Sequence, residues 1–392
     1  MGLTNVPLDP NQAGREALEL EANLCKRIVG QQEAIREIVN IYQMYVTGMN
    51  APRRPIGNLL FLGPTGSGKT RTVEATAEAL VKNARAVIKI DCAEFQHSHE
   101  IAKLIGSPPG YLGHRETHPL LSQEVLDQYH TETVRLSLLL FDEIEKASDA
   151  LWNLLLGILD KGTLTLGDNR KVDFSRSMIF MTSNLGAAEM SALVSPKLGF
   201  GACGSGGSRQ DEIDPGLSGK IERSGLHAVR RKFTPEFINR LDKIITFRPL
   251  GLEQLDKILD IELQVIQQRI FAASLTRSFA FHVTEPAKSF LLQQGTDMKY
   301  GARYLKRAIE RLLVQPFSNL MATAQIRGGD YIRVDLDASL NVLTFLTEAD
   351  GLSSREIPEL IHQPVISPNV AFARRATPQA ANKQVTLSSK PH

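Results

Sequence analysis

The segment NLLFLGPTGSGKTRTVEATAEALVK, residues 58–82, decides the fold of this chain. Its centre, GPTGSGKT (63–70), fits the pattern G-x-x-x-x-G-K-[ST], whose glycines let backbone N–H groups close around phosphate oxygens. The apolar run before it predicts a buried strand, and the spacing after it predicts a helix. An ordinary glycine-rich turn is the alternative, but the strand–loop–helix context favours a nucleotide site. The residues predicted to hold the phosphates are Gly63, Pro64, Thr65, Gly66, Ser67, Gly68, Lys69 and Thr70.

A second motif, LLLFDEIEK (138–146), ends an apolar run in two acidic residues. Beside a nucleotide, Asp142 at the strand end would hold Mg²⁺, partly through water, together with the hydroxyl of Thr70. Glu143 would polarise the water that attacks the γ-phosphate. The alternative is an acidic helix start, where carboxylates suit the helix dipole.

Three further residues are candidates for the same site. Asn184 ends the apolar run SMIFMTSN and would lie beside the γ-phosphate if that strand lies between the first and third strands; a helix N-cap is the alternative. Arg240, in FTPEFINRLD, is expected to be exposed. It would act either as an arginine finger on a nucleotide or as one partner of a surface salt bridge. Arg303, in GARYLKRAIER, lies in the first turn of a predicted helix, where a cation opposes the dipole unless a phosphate compensates.

Apolar runs that alternate with helical patterns predict a parallel sheet covered on both faces. The predicted strands are 58–62, 86–91, 136–141, 177–184 and 243–247, and GDNR (167–170) predicts a hairpin turn. From RPLG (248–251) helical patterns dominate to about residue 325, and YIRVDLD and NVLTFLT then predict a strand pair. We therefore expect a flexible arm (1–20), a large α/β domain (21–248), a small mainly helical domain (249–348) and a disordered tail (349–392).

The composition is that of a globular protein. The 392 residues carry a net charge of +2, which favours neither nucleic acid nor an anionic membrane as partner. The three cysteines are far apart and indicate reduced thiols, and the amino terminus shows no signal-peptide pattern, so we expect a cytoplasmic protein. His97, His99, His114 and His118 lack metal-ligand spacing and are interpreted as solvated loop residues.

Taken in order, GPTGSGKT, LLLFDEIEKA, KVDFSRSMIFMTSNLG, FTPEFINRLD and YGARYLKRAIE resemble the Clp family of AAA+ protein unfoldases. The chain is most similar to the C-terminal second ATPase module of two-module Clp proteins, here as a stand-alone module. The resemblance covers about residues 27–345 and implies a P-loop AAA+ domain with a lid domain, assembled as a homohexamer with ATP and Mg²⁺ at its interfaces. It implies that Asp142, Glu143 and Asn184 serve hydrolysis.

The resemblance implies further roles. Arg303 would sense the nucleotide, Arg240 would act on a neighbouring subunit, and Ile28 and Val29 of IVGQ would line the adenine pocket. GYLG, which is Gly110, Tyr111, Leu112 and Gly113, falls where the family has its pore loop, so Tyr111 would grip a polypeptide; an ordinary turn is the alternative. Leu198, Gly199 and Phe200 resemble the tripeptide that docks into a Clp-type peptidase; a segment packed on its own domain is the alternative.

The chain also departs from the family pattern. It shows no N-terminal substrate domain, second ATPase module or coiled-coil insertion, so we do not expect disaggregase activity. Thr234 replaces the arginine usual before Pro235. We expect an ATP-driven unfoldase that threads unfolded or tagged protein and may deliver it to a peptidase. The alternatives are an ATPase that remodels complexes without threading and a motor or loader acting on nucleic acid.

Overall fold

The computed structural model describes residues 9–10, 12–107, 118–194, 215–273, 278–296 and 301–349, with the side chains of 193–194 and 215–218 left out. The described residues form two compact units, one of those up to residue 266 with 285–316 and one of those within 267–284 with those from 317 onward. The strands of the first unit are β1 (Gly57–Leu62), β2 (Ile88–Asp91), β3 (Ser137–Asp142), β4 (Thr163–Thr165), β5 (Lys171–Asp173), β6 (Ser177–Ser183) and β7 (Lys243–Thr246).

Five of these strands form one parallel sheet in the order β2-β3-β6-β1-β7. All five were predicted, and their observed ends differ from the predicted ones by at most two residues. The fourth predicted strand, β6, lies between β1 and β3, which is the arrangement that the prediction for Asn184 required. The short strands β4 and β5 pair antiparallel across GDNR and confirm the predicted hairpin.

Helices cover both faces of this sheet. Leu60 and Leu62 of β1 pack into one apolar cluster, while Leu59 and Phe61 pack into the other, as the two-residue period of a strand requires. Burial on both faces is why the strands read as continuous apolar runs. The helices are α1 (Arg15–Cys25), α2 (Gln32–Val46), α3 (Lys69–Val81), α4 (Ala102–Ile105), α5 (Gln123–Asp127), α6 (Asp149–Lys161), α7 (Ala187–Val194), α8 (Pro215–Lys232), α9 (Pro235–Ile238), α10 (Leu252–Ala273), α11 (Glu285–Gly295), α12 (Ala302–Ile309) and α13 (Gln315–Ala322).

Helix α1 begins inside the segment that we predicted to be a flexible arm. Ala17 and Leu20, on one face of α1, are buried with Leu24 in the cluster that also holds α2. This burial orders the chain from Arg15 onward, so an arm, if present, ends before that residue. Residues 1–8 and the tail beyond 349 lie outside the described residues, and the domain limits otherwise stay a prediction.

The second unit contains a three-stranded sheet, where we predicted a strand pair. Strands β9 (Tyr331–Asp337) and β10 (Val342–Ala349) pair antiparallel, and β8 (Ala280–Val283) adds to β9 in parallel. Sequence analysis missed β8 because it lies within the stretch up to about residue 325 in which helical patterns dominate. Gln267 connects to it by accepting a hydrogen bond from Phe281 N at 3.0 Å and donating one to Phe279 O at 2.8 Å.

None of the described helices is long and apolar enough to cross a membrane.

Candidate nucleotide site

The loop between β1 and α3 is held open by its glycines. Gly63 has φ +146°, and a Cβ there would lie 2.5 Å from Phe247 O, so only glycine fits. Gly66 and Gly68 also have positive φ, and Gly68 caps α3 at its amino end. The positive end of α3 therefore opens into the loop, as the sequence pattern predicted.

Lys69, the first residue of α3, points back into this loop and is buried. Its Nζ donates to Gly63 O at 2.7 Å, to Pro64 O at 3.0 Å and to Asn184 Oδ1 at 3.0 Å. Burial lowers the pKa of Lys69 to about 8, although Asp142 and nearby carboxylates oppose the shift. The lysine is thus a cation held by neutral oxygens alone, and an anion in the loop would be a far stronger partner.

Gln31 fixes the position of the loop and was not singled out in the sequence. Its amide nitrogen donates to Ser67 O at 3.1 Å and to Arg248 O at 3.0 Å, and its oxygen accepts from Arg248 N at 3.2 Å. It is buried and follows directly on the segment with Ile28, which is buried, and Val29, which is half-buried. The hydrogen bond from Gln31 to Ser67 O therefore holds the IVGQ segment beside the phosphate loop.

Asp142 and Glu143 lie at the carboxyl end of β3. The Thr182 hydroxyl of β6 donates a hydrogen bond to Asp142 Oδ1, and the Thr182 hydroxyl oxygen accepts one from Glu143 N at 3.1 Å. Lys89 of β2 pairs with the other Asp142 oxygen at 3.2 Å. Glu143 has φ +56°, a conformation that costs free energy in a non-glycine residue and that directs its side chain. Three adjacent strands thus position the acidic pair.

Asn184 follows β6 and connects the two halves of the site. Its Oδ1 accepts from Lys69, and its Nδ2 donates to Glu143 Oε1 at 3.3 Å. Glu143 also forms an ion pair with Lys146. The backbone N–H of Asn184 donates to Glu145 Oε1 at 3.1 Å, so Asn184 is held through both its backbone and its side chain.

Glu145 is a site residue that sequence analysis missed. It accepts from Asn184 N through one oxygen, while its second oxygen is buried without a hydrogen-bond donor among the described residues. A buried carboxylate oxygen without a donor lowers the stability of the fold. Here that oxygen lies near Lys69 and the acidic pair. The second glutamate of DEIEK was the available signal, but its role depends on β3 and β6 being neighbours.

The start of α12 contacts the phosphate loop. Ala302 N donates to Gly66 O at 3.2 Å, and a Cβ on Gly301 would lie 2.9 Å from the same oxygen. Arg303, in the first turn, is exposed and lies close enough to Lys69 to lower the pKa of that lysine. The structure therefore brings Arg303 to the loop with a second positive charge.

Arg240 lies elsewhere. Its backbone oxygen accepts from Asn58 Nδ2 at 3.2 Å at the start of β1, roughly 17 Å of strand from the phosphate loop. Its side chain is half-buried, not exposed, because it pairs with Glu236 at 3.2 Å and with Asp160 at 3.7 Å. Thr234, which replaces the usual arginine, caps α9 by accepting from Phe237 N. Arg240 therefore does not join the site of its own chain.

Two predicted functional segments fall outside the described residues. They are the loop Gly110–Gly113, with Tyr111, and the tripeptide of Leu198, Gly199 and Phe200. Among the residues that the structure does describe, no three His, Cys, Asp or Glu side chains form a metal-binding group.

Comparison with known proteins agrees with this site. Residues 54–244 match the family model of the AAA domain (Cdc48 subfamily), and residues 250–334 match that of the C-terminal, D2-small domain of ClpB protein. The chain belongs to the Clp family of AAA+ ATPases. The two matches follow one another in the order of a second Clp ATPase module, as the motifs predicted.

Individual Clp proteins are similar over most of this chain. It is 36% identical over 348 residues to the chaperone protein ClpB of Bdellovibrio bacteriovorus, covering 87% of this chain and 36% of the relative. It is 37% identical over 360 residues to the chloroplastic chaperone protein ClpC3 of Oryza sativa subsp. japonica, covering 91% and 36%. The chain thus spans about a third of the length of these curated relatives.

Solved structures of Hsp104 share the fold. A closed-state reconstruction of Hsp104 with ATPγS and FITC casein has a TM-score of 0.68 at 30% identity, covering 84% of this chain and 52% of that chain. An extended S. cerevisiae Hsp104:casein complex has a TM-score of 0.69 at 31% identity, with the same coverage.

Proposed function

We propose that this chain is the ATP-hydrolysing module of a protein unfoldase that threads polypeptide through a homohexameric ring. The observation that carries the proposal is the hydrogen-bonded connection from Lys69 through Asn184 to Glu143 at adjacent strand ends. This connection joins a phosphate-binding cation to a carboxylate that can activate water, which is what ATP hydrolysis requires.

The loop residues bind the triphosphate. Lys69 would exchange its bonds to Gly63 O and Pro64 O for the β- and γ-phosphate oxygens, which are better acceptors because they are charged. The N–H groups at the start of α3 face the same oxygens. Arg303 adds a cation from α12, and Ile28 and Val29 would contact the adenine.

The residues present also fit Mg²⁺. The ion prefers few carboxylates together with hydroxyl, water and phosphate oxygens, and Asp142 and Thr70 are such donors beside the loop. When bound, Mg²⁺ would neutralise charge on the β- and γ-phosphates. Lys89, which now pairs with Asp142, lies 49% exposed and can move away at little cost.

Glu143 acts as the base that orients and polarises the attacking water. Asn184 holds the carboxylate near the γ-phosphate and can release it when its Nδ2 amide group donates to the phosphate instead. Glu145 keeps the backbone of Asn184 in place.

Arg240 completes the site of a neighbouring subunit. It lies at the edge of the sheet opposite to its own phosphate loop, so a ring in which this edge faces the next subunit's nucleotide would supply it in trans. Its partners Glu236 and Asp160 are partly exposed and would release it on assembly.

The substrate of the motor is a polypeptide. Solved structures that share this fold contain casein, and the GYLG segment resembles the family's pore loop, in which Tyr111 would contact the threaded chain. An aromatic ring suits this task because it contacts many side chains without selecting a sequence. Leu198, Gly199 and Phe200 would dock a Clp-type peptidase, and we place the protein in the cytoplasm.

A trap experiment tests this function. Glu143→Gln should bind ATP without hydrolysing it and hold an assembled ring on its substrate, so affinity capture in ATP should retain unfolded protein and any peptidase. Lys69→Ala, which should not bind ATP, is the control that should retain neither. Wild-type turnover by Glu143→Gln would show that Glu143 is not the base.

A further inference from the structure

A polar cavity of about 350 Å³ lies at the amino ends of β3 and β6, the edge of the sheet opposite to the phosphate loop. His130 and Arg135 line it from the segment that leads into β3, and Arg176 lines it from the residue before β6. The two strands are held in register there by Ser137 N, which donates to Arg176 O at 2.9 Å. The cavity has the volume of a small-ligand site.

The two carboxylates of the cavity already have hydrogen-bond donors. Asp127 accepts two bonds from Gln123 Nε2, at 3.0 and 3.1 Å. Asp173 accepts from Ser175 N at 2.8 Å and from the Ser175 hydroxyl at 3.0 Å. Each carboxylate is therefore oriented by hydrogen bonds from its own sequence neighbours.

The two arginines have no such partners. Among the described residues, no carboxylate lies within ion-pair distance of the side chain of Arg135 or Arg176. Both are exposed at the mouth of the cavity, in contrast to Arg170 nearby, which pairs with Asp168 and Glu124. Two guanidinium groups without a carboxylate partner that line one cavity are the donors that an oxyanion requires.

His130 adds a charge that depends on pH. The Ser137 hydroxyl donates to Leu126 O at 2.9 Å, so its oxygen accepts the hydrogen bond from His130 Nε2, also 2.9 Å long. The other ring nitrogen faces Asp127 at 3.4 Å and can take up a proton without losing either contact. Burial lowers the pKa of His130, and Arg176 and Arg135 lower it further, against the opposing effect of Asp127.

We propose that this cavity, formed around Arg135, Arg176 and His130, binds an oxyanion of the sulfate or phosphate class. The anion contacts both guanidinium groups at the mouth and places its charge near His130. The bound anion offsets the positive charge of the two arginines, which disfavours a protonated His130. Anion binding and protonation of His130 therefore favour each other. Asp173, the other charge that lines the cavity, stays engaged with Ser175.

The contacts between Asp127, His130 and Ser137 do not make a hydrolytic triad. Ser137 is buried, and its hydroxyl proton is directed at a backbone oxygen and not at the histidine. Its own N–H is used in the contact with Arg176 O, so it supplies no oxyanion donor. Binding, not covalent chemistry, is what the cavity supports.

Sulfate titration of the full chain tests the proposal. Sulfate keeps its charge between pH 5.5 and 7.5, so any pH dependence reports the protein. All variants carry Lys69→Ala, which removes the phosphate-loop lysine as a competing anion site. Calorimetry at constant ionic strength measures sulfate binding. We expect binding in this background to weaken at least about tenfold in Arg135→Gln/Arg176→Gln and to stay unchanged in the matched control Arg170→Gln. Acetate, a monoanion of different shape, should bind more weakly than sulfate.

The pH dependence supplies a second readout. Sulfate binding should strengthen severalfold from pH 7.5 to 5.5, and His130→Gln should abolish this change while retaining the affinity seen at pH 7.5. Equal binding by the double arginine variant, or an unchanged pH profile in His130→Gln, would overturn the proposal. Because the background lacks Lys69, neither result bears on ATP hydrolysis.

Discussion

Lys69 and Asn184 are joined by a hydrogen bond of 3.0 Å between Nζ and Oδ1, although 115 residues separate them in the chain. The bond exists because β6 lies beside β1, which brings the ends of these strands to the phosphate loop. A phosphate that binds Lys69 would change this hydrogen bond. Because the same amide also bonds to Glu143, the change would reach that carboxylate.

Removing this amide should separate binding from hydrolysis. In Asn184→Ala we expect kcat for ATP hydrolysis to fall about 10²- to 10³-fold, because Glu143 and the γ-phosphate lose a fixed polar partner. The dissociation constant for ATP should change far less, since Lys69 and the N–H groups of the phosphate loop remain to bind the phosphates. Steady-state turnover and nucleotide titration measure the two effects, and Asn153→Ala, on an exposed face of α6, is the control.

Glu145 should act through Asn184. Glu145→Ala removes the acceptor for Asn184 N, and we expect a lower kcat with little change in ATP affinity. Glu145→Gln keeps an oxygen acceptor and removes the buried charge, so it should retain most of the activity. Equal losses in the two variants would contradict a positioning role and would point to the charge itself.

ATP binding should take up protons near pH 8. Without nucleotide, Lys69 has a pKa of about 8, so much of it is neutral above that pH. Contact with phosphates favours its ammonium form. ATP affinity should therefore fall as pH rises from 8 to 9, by up to about tenfold. Calorimetry in two buffers of different ionisation enthalpy measures the uptake.

Lys69→Arg is the matched control for this proton uptake. Its guanidinium stays charged throughout the pH range. ATP should bind more weakly, but the measured binding enthalpy should be the same in both buffers because no proton is taken up. The same uptake in Lys69→Arg would assign the proton to another group.

Subunit mixing tests whether Arg240 acts in trans. Arg240→Ala alone and Lys69→Ala alone should each have low ATPase activity. In mixed rings, some interfaces pair an intact Lys69 with an intact Arg240 from the neighbouring subunit, and activity should return. Stability should change by no more than about 1 kcal/mol in Arg240→Ala, because its cis ion pairs are partly exposed. Mixtures that merely average the two activities would contradict the trans assignment.

Local patterns were sufficient to predict the sheet, the phosphate loop and the acidic pair. Buried strands give unbroken apolar runs, and the glycines of 63–70 serve one conformation. Strand β8 was missed because the sequence around it is dominated by helical patterns. Glu145 and Gln31 were missed because their partners, Asn184 N and Ser67 O, are distant in sequence and become neighbours only when the sheet forms.

The same limit explains the two surfaces at the opposite edge. Arg240 was expected to be exposed, but its pairing with Asp160 depends on how α6 packs, which no local pattern shows. His130 was not singled out in the sequence, because its contact with Ser137 depends on the turn before β3.

The central claim is that a polypeptide is the substrate of this ATPase, and stimulation of ATP turnover tests it most directly. Hydrolysis by the wild-type chain would be measured with unfolded casein and, separately, with single-stranded DNA, alongside Tyr111→Ala. We predict stimulation by casein but not by DNA, with Tyr111→Ala keeping basal turnover and losing the ability to unfold protein. Stimulation by DNA alone would contradict the account.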